Sequence, residues 1–565
     1  MSKVLYLHEN TAIINFNNGF PSSMVQILNS ETFAYLLETY LSQKDNQVTN
    51  RLKNLAPSNN YVNEILTFLK ELHVYKFNEI KHPFAQDKSF VLALIEDIYD
   101  YWRGFQRCGV VYYGKKSSSD FISFIDLDSD FNRYLLQFYR NFQEKVIGRS
   151  NKIYRQLHAG TNASMILTSK PNLLPDKYHF LKSVATIDAT LQHSPLILHP
   201  KTKKREGHFM ASPDNPLLDV TFNKDEFVCY PAKVGKLLAL VYVHRDFIFS
   251  ALSLSNIFEL ATSADIKSQK PDIVILFGTK DETDEMVFHY DNQEKMVVAK
   301  LSYQAKLEYF GYLKKIMLTC FNVAMLYRKA LPIHGAMINI LLKNGQNYGI
   351  VFMGDSGAGK SEIIEEISNL GSDLIAKIEV IFDDMGVFLL NELDQVVAQG
   401  SEIGAFVRLD DLDRSLPYQQ MDRSIFMNPE STSNARVIVP VSDYETIISN
   451  HKINYFLYAN NYSPKTGVTL FKDYQEIKET FLTGKRLAKN TTHEYGLTTS
   501  YFANPFGPLQ LPEIAEPLIK DYFERLIKQG VKIGEVYTNL GLLERLPEAL
   551  KASAKQVFNL IIKDN

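Results

Sequence analysis

The residues of this chain best suited to chemistry form one continuous run, Gly354-Asp355-Ser356-Gly357-Ala358-Gly359-Lys360-Ser361. Its glycines let the backbone fold tightly enough to turn several N–H groups toward phosphate oxygens, and a helix opening at its end adds a partial positive charge. Lys360 is then placed to reach the terminal phosphates of a nucleoside triphosphate. Ser361 supplies the hydroxyl that such loops use as a ligand for nucleotide-bound Mg²⁺. The chemistry requires a strand before the run and a helix after it. Tyr348 to Met353 is a compact apolar run suited to a buried strand, and Ser361 to Leu370 sets Ile363, Ile364, Ile367 and Leu370 on one helical face. The alternative reading, a glycine turn that enters a helix by chance, does not account for all eight positions in that context.

The elements that position the loop belong to a wider pattern. From Pro271 onward short β-rich runs alternate with helical ones: Ile273 to Phe277, Leu307 to Arg328, Tyr348 to Met353 and Glu362 to Leu370. That alternation predicts an α/β architecture. Earlier in the chain Ser30 to Ser42 carries Phe33, Leu36, Leu37, Tyr40 and Leu41 at helical spacing, with Asn29 or Ser30 as the cap. Lys201 to Pro216, polar and proline-containing, reads as a loop or boundary. No chemical motif occurs in the first hundred residues.

Composition narrows the partners. The 61 basic and 64 acidic residues among 565 leave a formal charge of −3, which offers no electrostatic footprint for nucleic acid or an anionic membrane. Cys108, Cys229 and Cys320 are unclustered, so neither a disulfide framework nor a cysteine zinc site is expected. The polar start of the chain lacks a secretory core, and Ile316 to Leu326 is too short to span a bilayer and reads as a buried helix. A cytoplasmic protein with no membrane partner is the expectation.

The phosphate loop with Glu362 resembles that of HPr kinase/phosphorylase, which shares its nucleotide-binding core with the phosphoenolpyruvate carboxykinases. The flanking segments favour the ATP-dependent carboxykinases. Asn434-Ala-Arg436-Val-Ile-Val-Pro440 is similar to the family segment whose arginine contacts the transferred phosphoryl group. Phe481-Leu-Thr-Gly-Lys-Arg-Leu-Ala488 and Phe502-Ala-Asn-Pro-Phe-Gly507 resemble two later family turns. Upstream, Lys270 to Lys280 resembles the strand that enters the carboxykinase core, Tyr309-Phe-Gly-Tyr-Leu-Lys-Lys315 its Tyr-Gly-Gly-Glu-Met-Lys-Lys, and His334-Gly-Ala-Met its His-x-Ser-Ala.

The resemblance implies Lys315 and His334 as Mn²⁺ ligands, Tyr309 as a substrate-side tyrosine, Ser356 near the transferred group, and ATP, Mg²⁺ and Mn²⁺ as cofactors. It implies a nucleotide and a small carboxylate as ligands, with Arg149, in Gly148-Arg-Ser-Asn-Lys152, as the residue that would grip the carboxylate substrate. Taken alone, Lys314-Lys315 reads as a solvated helix face, His334 as a core histidine and Arg149 as an exposed turn. The implied organisation is a divergent N-terminal region over 1–140, a substrate-type α/β domain over 141–300 and a nucleotide-binding domain over 301–565.

Two departures from the family stand out. Aligned without gaps, Lys377 and Ile378 fall on the family's paired metal-binding aspartates, while Asp383-Asp384 fall on a later acidic turn expected to be solvent-exposed. Glu379, or Asp383 and Asp384 in another register, are the remaining candidates for the missing ligand. His493 stands where the family has an arginine serving the nucleotide. His244-Arg245-Asp246 is read as a chance triple. Two functions therefore stay open: phosphoryl transfer, in the carboxykinase manner or as a related kinase reaction on another small molecule or a protein hydroxyl, and a non-catalytic or regulatory nucleotide-binding protein with a decayed metal site.

Overall fold

The computed structural model describes residues 4–563 except 20, 22, 44–46, 56, 114–119, 151–158, 171, 204–208, 282–284, 356, 371–373, 410–420, 432–433, 489–495 and 543–546. The chain separates into two units: Met1–Ser169 with Ile187–Leu196, and Lys170–Thr186 with Ile197–Asn565.

In the first unit β1 (Leu5–His8) pairs antiparallel with β2 (Thr11–Asn15), which lies parallel to β3 (Gln106–Tyr113), itself parallel to β4 (Ala163–Thr168). Helices α1 (Glu31–Leu41), α2 (Tyr61–Val74), α3 (Lys88–Gly104) and α4 (Asp120–Ile147) supply most of the apolar core. The helical spacing read at Ser30 to Ser42 holds. Ser30 caps α1 by accepting from the Phe33 N–H at 3.1 Å, and Phe33, Leu36, Leu37 and Tyr40 are buried.

The second unit opens with β5 (Phe227–Val234) antiparallel to β6 (Leu237–His244). Then β6, β7 (Ile273–Thr279) and β9 (Met296–Ser302) run parallel, with β8 (Met286–Asp291) antiparallel beside β9. The strands β6, β7 and β9 are buried along their whole length, as their near-continuous apolar sequences require of central parallel strands. A second sheet is built on β10 (Leu331–Leu342), flanked on one side by β13 (Met385–Leu390) and β14 (Val396–Gly400). On its other side stand β11 (Asn347–Met353), β18 (Tyr455–Asn460) and β21 (Lys532–Tyr537), while β12 (Ile375–Phe382) also pairs with β10.

Helix α5 (Phe310–Tyr327) packs on β7 and β9 of the first sheet and on β10 and β13 of the second. A helix held between two sheets must be apolar nearly all round, and α5 is. A third, smaller sheet joins β15 (Gly404–Arg408), β16 (Ile425–Met427) and β17 (Arg436–Pro440). The α/β expectation is met, and among the described residues no helix is long and apolar enough to cross a membrane.

Candidate active site

Helix α6 (Lys360–Leu370) begins at the lysine of the glycine-rich run, and β11 ends at Met353, so strand, loop and helix stand in the order the sequence indicates. Strands β11, β18 and β21 are mutually parallel, and the loop lies at their C-terminal ends, where open α/β sheets bind ligands. The residues that follow β18 and β21 fix the loop. Asn461 donates from Nδ2 to the Gly357 carbonyl at 3.0 Å, and Thr538 donates from Oγ1 to the Ala358 carbonyl at 2.7 Å. Because a peptide is planar and trans, tying down the Ala358 carbonyl turns the Gly359 N–H the other way. Gly359 has φ +96°, and a Cβ there would come within 2.7 Å of Thr538 Cβ and Leu540 Cδ1, so only glycine fits. Lys360 Nζ donates to the Gly354 carbonyl at 2.7 Å and lies over the loop. Asp355 is buried and paired with Arg486 Nε at 2.9 Å. Ser356 and His493 lie outside the described residues.

Register brings the next group to the loop. Strand β10 is antiparallel to β11, so its first residues stand beside the end of β11. Gly335 faces Met353, and the Gly354 N–H donates to the His334 carbonyl at 3.2 Å. On the opposite edge His334 faces Met385, the first residue of β13, which sets Asp384 beside the histidine. Asp384 Oδ1 is 3.2 Å from His334 Nε2, and Asp384 Oδ2 accepts from Lys315 at 2.6 Å and from Lys314 at 2.9 Å. Both lysines come from α5. Lys314 also lies 3.1 Å from Glu402 Oε2 in an ion-pair contact outside hydrogen-bonding alignment. Asp383, on the other side of the turn, has its Oδ1 3.5 Å from the Ser361 hydroxyl.

This arrangement corrects the two expectations made for the β12–β13 stretch. Asp383-Asp384 is not a solvent-exposed turn: Asp384 is the centre of a buried ion network. Nor do Lys377 and Ile378 take the place of the acidic pair. They pair opposite Leu341 and Ile340 in β12, Lys377 extends into solvent beside Glu379, and Ile378 packs on the apolar cluster around Ile340 and Ile363. An ungapped alignment fails because β12 runs its full length along β10 before the chain turns, which delays the carboxylates until they reach His334.

Electrostatics follow from burial. Burial pushes the Lys315 ammonium and the His334 imidazole down, toward their uncharged forms, against the pull of Asp384. Burial also pushes Asp384 up, but Lys314 and Lys315 outweigh it and hold the carboxylate well below its usual range. Asp383 is raised by burial and by Asp384, and Glu402 is raised by burial to about 7. His334 Nδ1 lies 2.8 Å from the Ala503 carbonyl, which can only accept, so Nδ1 carries the proton and a neutral ring presents the Nε2 lone pair to Asp384. A lone pair facing a carboxylate oxygen is a donor set that fits a cation between them.

The turn at Phe502–Gly507 orients these side chains. Besides the Ala503 carbonyl it supplies Phe506, whose ring meets His334 edge-on at 5.4 Å and lies 4.4 Å from Lys315 Nζ. Asn322 of α5 donates to the Phe506 carbonyl at 2.5 Å and locks the turn to the helix.

A second grouping stands at the start of α5. The Tyr309 ring lies 6.1 Å from Phe406, and the Arg436 guanidinium lies 5.5 Å over the same ring. Arg436 Nε donates to Asn434 at 2.7 Å. A Cβ on Gly311 would fall 2.5 Å from the Tyr309 ring, so that glycine makes room for the tyrosine. Lys315 follows Tyr309 by six residues, roughly 9 Å along the helix. Arg149 is exposed in the turn that ends α4, in the other unit.

Sequence reasoning missed Glu402, Arg486, Asn461 and Thr538, and gave Lys314 no role of its own. Glu402, Asn461 and Thr538 are isolated polar residues just beyond strand ends, and Arg486, though inside the Phe481–Ala488 segment, has no local feature that marks its partner. Among the described residues no group of three or more His, Cys, Asp and Glu side chains gathers as a metal cluster.

Residues 220–454 match the family model of phosphoenolpyruvate carboxykinase, a stretch that includes α5, β10, the glycine loop, Asp384 and Arg436. Over that stretch the chain is similar to ATP-dependent phosphoenolpyruvate carboxykinase. No curated protein matches it.

Proposed function

We propose that this carboxykinase-like chain catalyses ATP-dependent phosphoryl transfer to an enolate, converting oxaloacetate and ATP into phosphoenolpyruvate, CO₂ and ADP. The observation that carries the reading is the convergence of Lys315, His334 and Asp384 one residue from the glycine loop, with His334 Nε2 and Asp384 Oδ1 3.2 Å apart. Lys315, His334 and Asp384 would hold Mn²⁺, and Ser361 with Asp383 would hold the Mg²⁺ that accompanies the nucleotide. A bound divalent ion supplies positive charge for the enolate oxygen and the phosphates.

The rest of the chemistry falls to the protein. Loop N–H groups and the start of α6 receive the phosphates, with Lys360 moving from the Gly354 carbonyl to the terminal phosphate. Ser356 would lie in the loop near the transferred group. Tyr309 and Arg436, brought to one aromatic ring, would face the carboxylate substrate and the transferred phosphoryl group. Loss of CO₂ breaks a C–C bond and leaves its electron pair on the enolate. The enolate oxygen then bonds to the γ-phosphorus as the bond to the β-phosphate oxygen breaks and ADP departs. Arg149 remains a candidate for gripping the substrate carboxylate.

Against carboxykinase chemistry the sequence sets a missing acidic pair and His493 in place of the family arginine; Asp383-Asp384 beside the loop supports the catalytic reading on the first count. The reading is tested by supplying the full chain with oxaloacetate, ATP and Mn²⁺ and measuring both products. Phosphoenolpyruvate and ADP in equal amounts support it. ATP binding with no product, or ADP without phosphoenolpyruvate, would direct the site to a binding role or to another phosphoryl acceptor.

A further inference from the structure

The N-terminal unit holds a partly open cavity of about 140 Å³ between the β1–β2 hairpin and helices α1 to α4. Leu36, Phe68, Leu94, Ile98 and Phe131 are among its walls, and none of its described lining residues is charged. Of the hydroxyls on the wall, Ser30 Oγ donates to the Ile27 carbonyl at 2.8 Å and Tyr139 donates to Glu96 Oε1 at 2.5 Å, while the buried Tyr99 hydroxyl has no hydrogen-bond partner among the described residues. Close-packed interiors leave few voids larger than one water. Water inside a protein needs two to four polar partners, more than the one Tyr99 hydroxyl supplies, and apolar cavities of about 150 Å³ stay dry and take up benzene-sized molecules.

We propose that this cavity is a binding site for an uncharged apolar molecule the size of one aromatic ring or a short hydrocarbon chain. A charged ligand is excluded because burying an unpaired ion against such a wall is costly. Aromatic ligands suit it through edge and face contacts with rings already packed there, such as Tyr99 stacked on Tyr139 at 3.9 Å. The site draws on no residue of the nucleotide loop and stands apart from the proposed phosphoryl transfer.

Trp102, the single tryptophan of the chain, lines the cavity, and its indole N–H is fixed by a 2.7 Å bond to the Ala159 carbonyl. Its fluorescence therefore reports on this site alone. In the full chain, titration with bromobenzene, an uncharged heavy-atom quencher, is expected to quench Trp102 along a saturable curve. Octanoate at the same concentrations is expected to leave the emission unchanged. Leu94→Phe and, separately, Ile98→Phe fill the space and are expected to weaken the saturable phase at least tenfold, with quenching by acrylamide unaltered. If one variant does not fold, the other carries the comparison. A strictly linear response in the wild type, or saturation that persists unchanged in a folded filled variant, overturns the proposal.

Discussion

Asp384 Oδ1 and His334 Nε2 face each other at 3.2 Å, on a histidine whose Nδ1 proton is directed to the Ala503 carbonyl. Two lone-pair bearers held that close, with Lys315 2.6 Å from the same carboxylate, are the atoms that would share a cation in the proposed metal site. Replacing Asp384 by Asn keeps the shape and removes the charge. Mn²⁺ affinity is expected to fall at least tenfold while ATP affinity, measured without Mn²⁺, changes little.

The same site sets a pH dependence. A ligating lysine or histidine must be deprotonated, so Mn²⁺ affinity rises with pH and is lost as pH falls through the pKa of each ligand. Burial depresses both Lys315 and His334, so the loss on acidification sits below the ordinary range of either side chain. Mn²⁺ titrations across pH check this. His334→Ala is expected to remove the more acidic of the two steps.

The Lys360 ammonium donates to loop carbonyls, at 2.7 Å to Gly354 and 3.4 Å to Asp355. Lys360→Ala is expected to weaken ATP binding roughly 10- to 100-fold, the value of a charge-assisted bond to phosphate. Its melting temperature is expected to stay close to wild type. Equal ATP affinities in calorimetric titrations would remove the glycine loop from the account.

Ile378 packs against the cluster around Ile340 and Ile363 and lies apart from the ion network. Ile378→Asp places a carboxylate against that cluster and is expected to cost about 1–3 kcal/mol of stability. It is expected to add nothing to Mn²⁺ affinity, and a gain in metal binding would restore the ungapped alignment.

Phe506 touches both proposed ligands from the Phe502–Gly507 turn. Phe506→Ala is expected to loosen His334 and Lys315 together, lowering Mn²⁺ affinity several-fold while leaving ATP affinity near wild type. Parallel titrations with the two ligands separate this positioning role from general unfolding, which would reduce both.

The sequence made the glycine loop legible because its chemistry is local. Strand, loop and helix are consecutive, and each has its own periodicity. The buried character of α5 was readable for the same reason, from the run Ile316 to Leu326. The acidic pair was not. Whether Asp383-Asp384 or Lys377-Ile378 meets His334 depends on how far β12 runs along β10, and no residue in the stretch fixes that register by type. Glu402 and Arg486 escaped notice because a single charge becomes informative only when a distant partner, Lys314 or Asp355, is seen against it. The turn at Phe502–Gly507 was recognisable as a family segment, but its work on His334 and Lys315 needed coordinates.

The central claim is that Lys315, His334 and Asp384 form a metal site adjoining the nucleotide loop. Electron–nuclear double resonance of Mn²⁺ bound to the ¹⁵N-labelled chain measures this directly. Nitrogen coupling is expected in the wild type, reduced in His334→Ala, with phosphorus coupling appearing when ATP is added. Bound Mn²⁺ with phosphorus coupling but no protein nitrogen, in wild type as in the variant, would contradict it.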